Sequence, residues 1–217
     1  MRVCCYFAYA EGAHPLAGRG DYDALIPVMS KFVHRHGYKL DHLTCGDEPA
    51  FGDRCIRHAD LDPRFVMWNR EVAWLRYLQE LPEGEQAVLV EPDCLLLRKI
   101  PPLTDADLML LQRDGETPSP GFRLAKRSSL PLYEEVVRVY SEMGDDLRVI
   151  HGDVIALRVA LDAKRSVVPS QWRGLRIEVR KFFDYCGKPH LLHSGTVALN
   201  FKGGSKQRMV RFVKDFL

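Results

Sequence analysis

Ala87–Pro102 reads AVLVEPDCLLLRKIPP. Its first four residues form an uninterrupted apolar run, the pattern of a strand covered on both faces. The run stops at Glu91-Pro92-Asp93, and apolar character resumes over Cys94–Leu97. In parallel α/β sheets, ligands bind beyond the carboxyl ends of the strands. Two carboxylates at i and i+2 on such a turn are able to face one hard cation. Oxygen ligands of this kind suit Mg2+ or Mn2+, which in turn hold phosphate oxygens. Taken alone, E-x-D is equally an ordinary polar turn closing a strand.

The flanking segments alternate between helical and strand periods. Val3–Ala8 is apolar and β-prone. Asp21–His36 places Leu25, Ile26, Met29, Phe32 and Val33 at helical spacing and is closed by Gly37. Lys39–Thr44 alternates as a strand. Asn69–Leu81 (NREVAWLRYLQEL) predicts a strong helix, with Asn69 as cap and Pro82 after its end. Leu108–Leu111 is a further short apolar run. This order predicts a single layered α/β domain with a mixed, mainly parallel sheet flanked by helices. The second half is less regular. Leu130–Met143 predicts a helix, Val154–Leu161 reads as helix or strand, and Val167–Val168 and Leu191–Leu192 read as short strands. Lys206–Phe216 predicts a basic terminal helix. Arg113–Gly121 (RDGETPSPG) is the most turn-rich stretch, either a lid or a plain connection.

Composition narrows the class without naming a function. The chain has 217 residues, 46% hydrophobic and 28% charged, which fits a globular protein and excludes collagen, coiled coil and disorder. The formal charge of +2 does not by itself identify a nucleic-acid binder. No stretch approaches the length of a membrane helix, and the N-terminus MRVCCYFAYAEG reads as a first strand rather than a signal peptide. The six cysteines form no CxxC pair and mostly sit in apolar runs, as buried free thiols do. A reducing cytoplasm is the expected compartment.

A second candidate site is Asn200–Lys206, NFKGGSK. Two glycines between lysines let backbone approach an anion closely, with cations to complete the contact. The spacing is not that of a P-loop. His34, His36 and His42 read as surface groups. His190 and His193 flank Leu191-Leu192, and an H-x-x-H on a strand sends its ends to opposite faces. His151 and Asp153 in VIHGDV are polar residues within apolar sequence, facing a cleft or buried as a hydrogen-bonded pair.

The order of these features resembles glycosyltransferases of the GT-A fold, in particular the glycogenin-like, lipopolysaccharide-galactosyltransferase-like group. Glu91-Pro92-Asp93 stands where that family has a D-x-D that binds Mn2+ on the donor diphosphate. Gly121 matches the glycine of the strand that lines the donor sugar. Gly152-Asp153-Val154 stands for the family's G-D-Q, without the glutamine. Asn200-Phe201-Lys202-Gly203-Gly204-Ser205-Lys206 stands for its late H-x-x-G-x-x-K, with glycine and lysine in register. The resemblance implies a nucleotide-sugar donor, Mn2+ or Mg2+, and retention at the transferred carbon. It implies a nucleotide-binding half over residues 1–100 and a sugar and acceptor half over 101–217. It assigns the metal to Glu91, Asp93 and Asn200, the donor to Glu91, Asp93, Lys202, Gly203 and Lys206, and the reaction to Asp153 and Gly121. Asn200 replaces the family's histidine, which exchanges a nitrogen ligand for a neutral oxygen and leaves room for a neighbour such as His193.

Two rival readings stand beside it. One is a descendant of the same fold that binds nucleotide sugars without turnover, supported by Asn200. The other is a metal-dependent nuclease, built on Pro92-Asp93 and the distant Asp162-Ala163-Lys164. The acceptor is open between DNA and a glycan. Three basic clusters bear on it: Arg123, Lys126 and Arg127; Arg173, Arg176, Arg180 and Lys181; and Lys206, Arg208, Arg211 and Lys214. Each is equally readable as a solvated face.

Overall fold

The computed structural model describes residues 1–8, 19–112, 118–149, 152–163, 167–181, 183–184, 196–201 and 206–216. The continuous apolar runs form the strands of one sheet. They are β1 (Arg2–Tyr6), β2 (Lys39–Thr44), β3 (Arg54–Arg57), β4 (Gln86–Val90), β6 (Leu108–Gln112), β7 (Pro118–Lys126), β8 (Gln171–Trp172) and β9 (Leu175–Lys181). Their order is β3-β2-β1-β4-β7-β6-β9-β8. Four of the seven pairings are parallel: β3 with β2, β2 with β1, β1 with β4, and β6 with β9. The other three, which flank β7 or involve β8, are antiparallel. The mixed, mainly parallel sheet expected from the sequence is thus present.

Both faces of this sheet are covered, which is why its central strands lack polar alternation. On one face Val3, Cys5, Val88, Val90, Met109 and Leu111 pack against α1 (Arg19–Arg35), whose Leu25, Met29, Phe32 and Val33 point inward. On the other, Cys4, Tyr6, Leu89, Leu108 and Leu110 pack against α2 (Val66–Glu80), α3 (Leu130–Ser141) and α5 (Gly152–Ala160). The short α4 (Asp145–Val149) packs on α2 and α5. Cutting Leu89 or Leu110, both fully buried, to alanine removes packing worth about 2–5 kcal/mol.

A second, three-stranded sheet positions the site. β5 (Cys94–Leu96) leaves the main sheet after the Glu91-Pro92-Asp93 turn and pairs antiparallel with β11 (Ala198–Asn200). β11 pairs in parallel with β10 (Phe183–Asp184). The terminal helix α6 (Lys206–Phe216) then packs on α1, burying Met209 and Phe212.

Several local expectations need correction. Asn69 does not cap α2. The helix begins three residues earlier, and Asn69 lies inside it, fully buried, with Nδ2 donating to the Asp62 carbonyl at 2.6 Å. Ser119–Gly121 is not loop but the start of β7, because Pro118 and Ser119 extend the ladder with β6 past a bulge at Leu110/Leu111. Val167–Val168 forms no strand, whereas 154–160 is helical. His42 is buried rather than superficial, since an alternating strand covered on both faces has no solvent side. Leu191–Leu192, His151, His190 and His193 lie outside the described residues. No described helix is long and apolar enough to cross a membrane.

Candidate functional site

Strand β4 delivers Glu91 to the carboxyl edge of the sheet. The Glu91 amide donates to the Gly121 carbonyl at 2.9 Å, and the Cys94 amide closes the turn onto the Glu91 carbonyl at 3.1 Å. The turn reverses the chain so that Asp93 faces the end of β11. Cys94 pairs with Asn200, and the Phe201 amide donates to the Asp93 carbonyl at 2.9 Å. Register therefore sets Asn200 beside Asp93: Asn200 Nδ2 lies 3.5 Å from Asp93 Oδ1 and 3.4 Å from Cys94 Sγ. Both residues are buried, and Asn200 Oδ1 has no hydrogen-bond partner. On the far side of β11, Asp184 stands in register with Asn200.

Glu91 turns the opposite way, into an ionic cluster that the sequence reading missed. Arg70 of α2 donates Nη1 to Glu91 Oε1, and Nη2 to Glu71 Oε1 at 2.8 Å and to Asp153 Oδ2 at 2.7 Å. Arg123 of β7 grips Glu71 with both ends of its fork, at 2.7 and 2.8 Å. Both guanidiniums also lie close to the Trp74 ring, with Arg70 Cζ at 4.9 Å and Arg123 Cζ at 5.2 Å from its centroid. Buried charge is tolerated when paired and hydrogen-bonded, and each of these five side chains has an opposite charge within hydrogen-bond reach, although Arg70 Nε and Arg123 Nε are left without a partner. Burial disfavours the Arg70 cation. The carboxylates of Glu91, Asp153 and Glu71 outweigh it and hold the Arg70 pKa well above its usual range. Two guanidiniums face three carboxylates, so the cluster carries one surplus negative charge. Glu91 is its most exposed carboxylate, at 16%.

The cluster also accounts for two glycines. A Cβ at Gly121 would overlap Glu91 Oε2, so only glycine lets β7 pass beside the Arg70-bound carboxylate. A Cβ at Gly152 would run into the Leu147 carbonyl and the Tyr140 ring, so glycine is what brings the first turn of α5, and Asp153 with it, onto Arg70.

The assigned residues therefore fall into two groups. Glu91, Gly121 and Asp153 converge around Arg70, and Asp93 and Asn200 converge across the small sheet. Lys202 and Gly203 lie outside the described residues, as does the Lys206 side chain, although Lys206 opens α6. Asp93 and Asn200 carry oxygens of the kind a hard divalent ion takes, and the Asn200 oxygen is buried without a partner, although Asn200 turns Nδ2 rather than Oδ1 toward Asp93. Glu91 fits less well, with one oxygen on Arg70 and the other against Gly121. Among the described residues, no three His, Cys, Asp or Glu side chains converge in a metal-binding group. Arg70 had a legible signal. It sits four residues before Trp74 and eight before Leu78, on the apolar stripe of α2, where a charge needs a buried partner. Arg123, expected in an open basic cluster, is 1% exposed.

A mixed sheet that sheds an acidic turn into a small second sheet, with helices on both faces, defines a GT-A-like glycosyltransferase fold. The chain aligns with the crystal structure of a glycosyltransferase involved in the glycosylation of the major capsid of PBCV-1 over 99% of both chains, with TM-score 0.61 and 10% identity. It also aligns with the glycosyltransferase GlyE of Streptococcus pneumoniae TIGR4 over 79% of this chain and 46% of that one, with TM-score 0.51 and 14% identity. No protein-family profile matches the sequence, and no curated protein matches it.

Proposed function

We propose that this protein transfers a glycosyl group from a nucleotide-sugar donor seated across the Glu91-Pro92-Asp93 turn, in the manner of the glycogenin-like group. The observation that carries the reading is the meeting of Asp93 with Asn200, 107 residues apart in the chain, within a fold shared with glycosyltransferases. Asp93 and Asn200 would hold Mn2+ or Mg2+. Such an ion supplies positive charge to the donor diphosphate as the leaving group becomes more negative. Glu91, at the rim of an anionic cluster, accepts hydrogen bonds from donor hydroxyls, while Arg70 fixes its orientation. Asp153 holds Arg70 from the other side and acts by positioning. Lys202, Gly203 and Lys206, which follow Asn200 in the sequence, would complete the anion contact.

Thermal unfolding with a panel of nucleotide sugars, with and without Mn2+, tests the proposal. A metal-dependent rise in midpoint with one donor, lost in Asp93→Ala, supports it. No rise with any donor overturns it. A second reading, a donor-binding protein without turnover, is favoured by the engagement of Glu91 with Arg70. Metal-dependent donor hydrolysis without acceptor separates the two.

A further inference from the structure

Of the three basic clusters in the sequence, the one on α6 is the one in which, among the described residues, no member has an ion-pair partner. Arg123 is buried on Glu71. Arg173 lies 3.8 Å from Glu135, and Arg180 donates to Glu178 at 2.6 Å. On α6, by contrast, Arg208, Arg211 and Lys214 are exposed, and none forms an ion pair with another described residue. Spaced three residues apart, they rise about 4.5 Å per step along one side of the helix. The opposite side is fixed in the core by Met209 and Phe212.

Helix α6 packs on α1, whose last turns add exposed Lys31 and Arg35. Arg98 and Lys99 extend the same face, because the segment that carries them is tied to the end of α1. His36 Nε2 meets the Leu96 carbonyl at 3.1 Å, and the Ile100 amide donates to the Tyr38 hydroxyl at 2.8 Å. This segment continues directly from β5 and so from the Asp93 turn.

We infer that the face built by α1, α6 and residues 98–99 docks the phosphate backbone of duplex nucleic acid. Arginine predominates, and its fork matches phosphate oxygens. Among the described residues of this face, Phe32 and Phe212 are buried and Tyr38 is half-buried with its hydroxyl engaged on Ile100, so they offer neither an open stacking platform for single strands nor an apolar wedge for a bilayer. The inference rests on the transferase reading only in making the bound duplex the acceptor. Docking itself requires no donor.

Anisotropy of a labelled short duplex of arbitrary sequence, titrated at several salt concentrations, tests it without any sugar nucleotide. Wild type binds at low salt, with log K falling against log salt at a slope of about −4, as expected for four or five phosphate contacts. Arg208→Glu with Arg211→Glu weakens binding at least tenfold and shallows the slope by about two. Lys31→Glu with Arg35→Glu does the same from the other helix, which guards against a fold defect in α6. Arg173→Glu with Arg180→Glu, on the compensated cluster, leaves affinity unchanged. Absence of duplex binding by wild type, unchanged affinity in both helix variants, or capture of anionic vesicles or a sulfated polysaccharide in place of the duplex overturns the inference. Loss of donor binding with duplex binding intact overturns the transferase reading alone.

Discussion

Asn200 Nδ2 lies 3.5 Å from Asp93 Oδ1 although 107 residues separate them. The pairing of β5 with β11 enforces the approach, and the Asn200 oxygen is left buried without a partner. Asn200→Asp places a second carboxylate against the first. Without metal, the variant is less stable by about 1–3 kcal/mol, the cost of an uncompensated buried polar group. Added Mn2+ offsets that cost, so its thermal shift exceeds that of wild type. Equal Mn2+ shifts in the two proteins would take Asn200 out of any metal site.

Gly121→Ala tests the other half of the site. The new Cβ overlaps Glu91 Oε2, and Glu91 cannot swing aside freely because Arg70 holds its other oxygen. A loss of about 1–3 kcal/mol is expected, as for overpacking elsewhere. In a Glu91→Ala background the same substitution costs less, because the obstructing carboxylate is gone. Urea unfolding of the four proteins measures the coupling. Additive costs would show that Glu91 and Gly121 are not in contact.

The sequence made the fold class legible because buried strands and the stripe of α1 carry strong periodic signals. Val3–Ala8 overlaps β1 and runs two residues past its end, Lys39–Thr44 matches β2, and Ala87–Val90 lies within β4. The small sheet was not legible. β10 and β11 are two and three residues long, too short to show a period, and nothing local reveals that Cys94–Leu96 changes sheets. Asp93 and Asn200 were both picked out, from the strand-end rule and a motif resemblance, but their contact depends on that register. The Arg70 cluster was missed for a different reason. Its five members come from α2, the turn after β4, β7 and α5, and although Arg70, Glu91 and Asp153 each carry a local signal, no spacing in the sequence shows that they meet.

Arg70→Met removes the hub of that cluster while keeping side-chain volume. Glu91 and Asp153 lose a guanidinium partner in a buried setting, and breaking such a pair by removing one member costs about 3–5 kcal/mol. Arg64→Met is the control. Arg64 also pairs with a carboxylate, Asp62, but is 77% exposed, so solvent screens the pair and its loss costs little. Denaturant unfolding should separate the two variants clearly. Equal and small losses would mean that the cluster contributes nothing beyond a surface pair.

His42 predicts how stability depends on pH. Burial disfavours its cation and lowers its pKa to about 4, with the Phe7 carbonyl opposing and Arg57 adding to the shift. The imidazole donates from Nε2 to the Phe7 carbonyl at 3.0 Å, faces the Cys55 thiol at 3.6 Å through Nδ1, and stacks on Phe51 at 3.9 Å. Protonation would put a second N–H against a thiol, which is a weak acceptor. In the unfolded chain the same histidine titrates near 6.5, so between about pH 6.5 and 4 the unfolded state binds the extra proton. Stability is complete above that window and falls as pH drops through it, by about 2 kcal/mol near pH 5. Asp41 titrates below this range: burial opposes its ionisation, but hydrogen bonds from Arg2, Tyr77 and Arg54 depress its pKa, so its own loss comes at lower pH. Urea midpoints measured from pH 7 to pH 5 should decline in wild type and decline less in His42→Asn. Equal slopes in the two proteins would assign the acid sensitivity to another group.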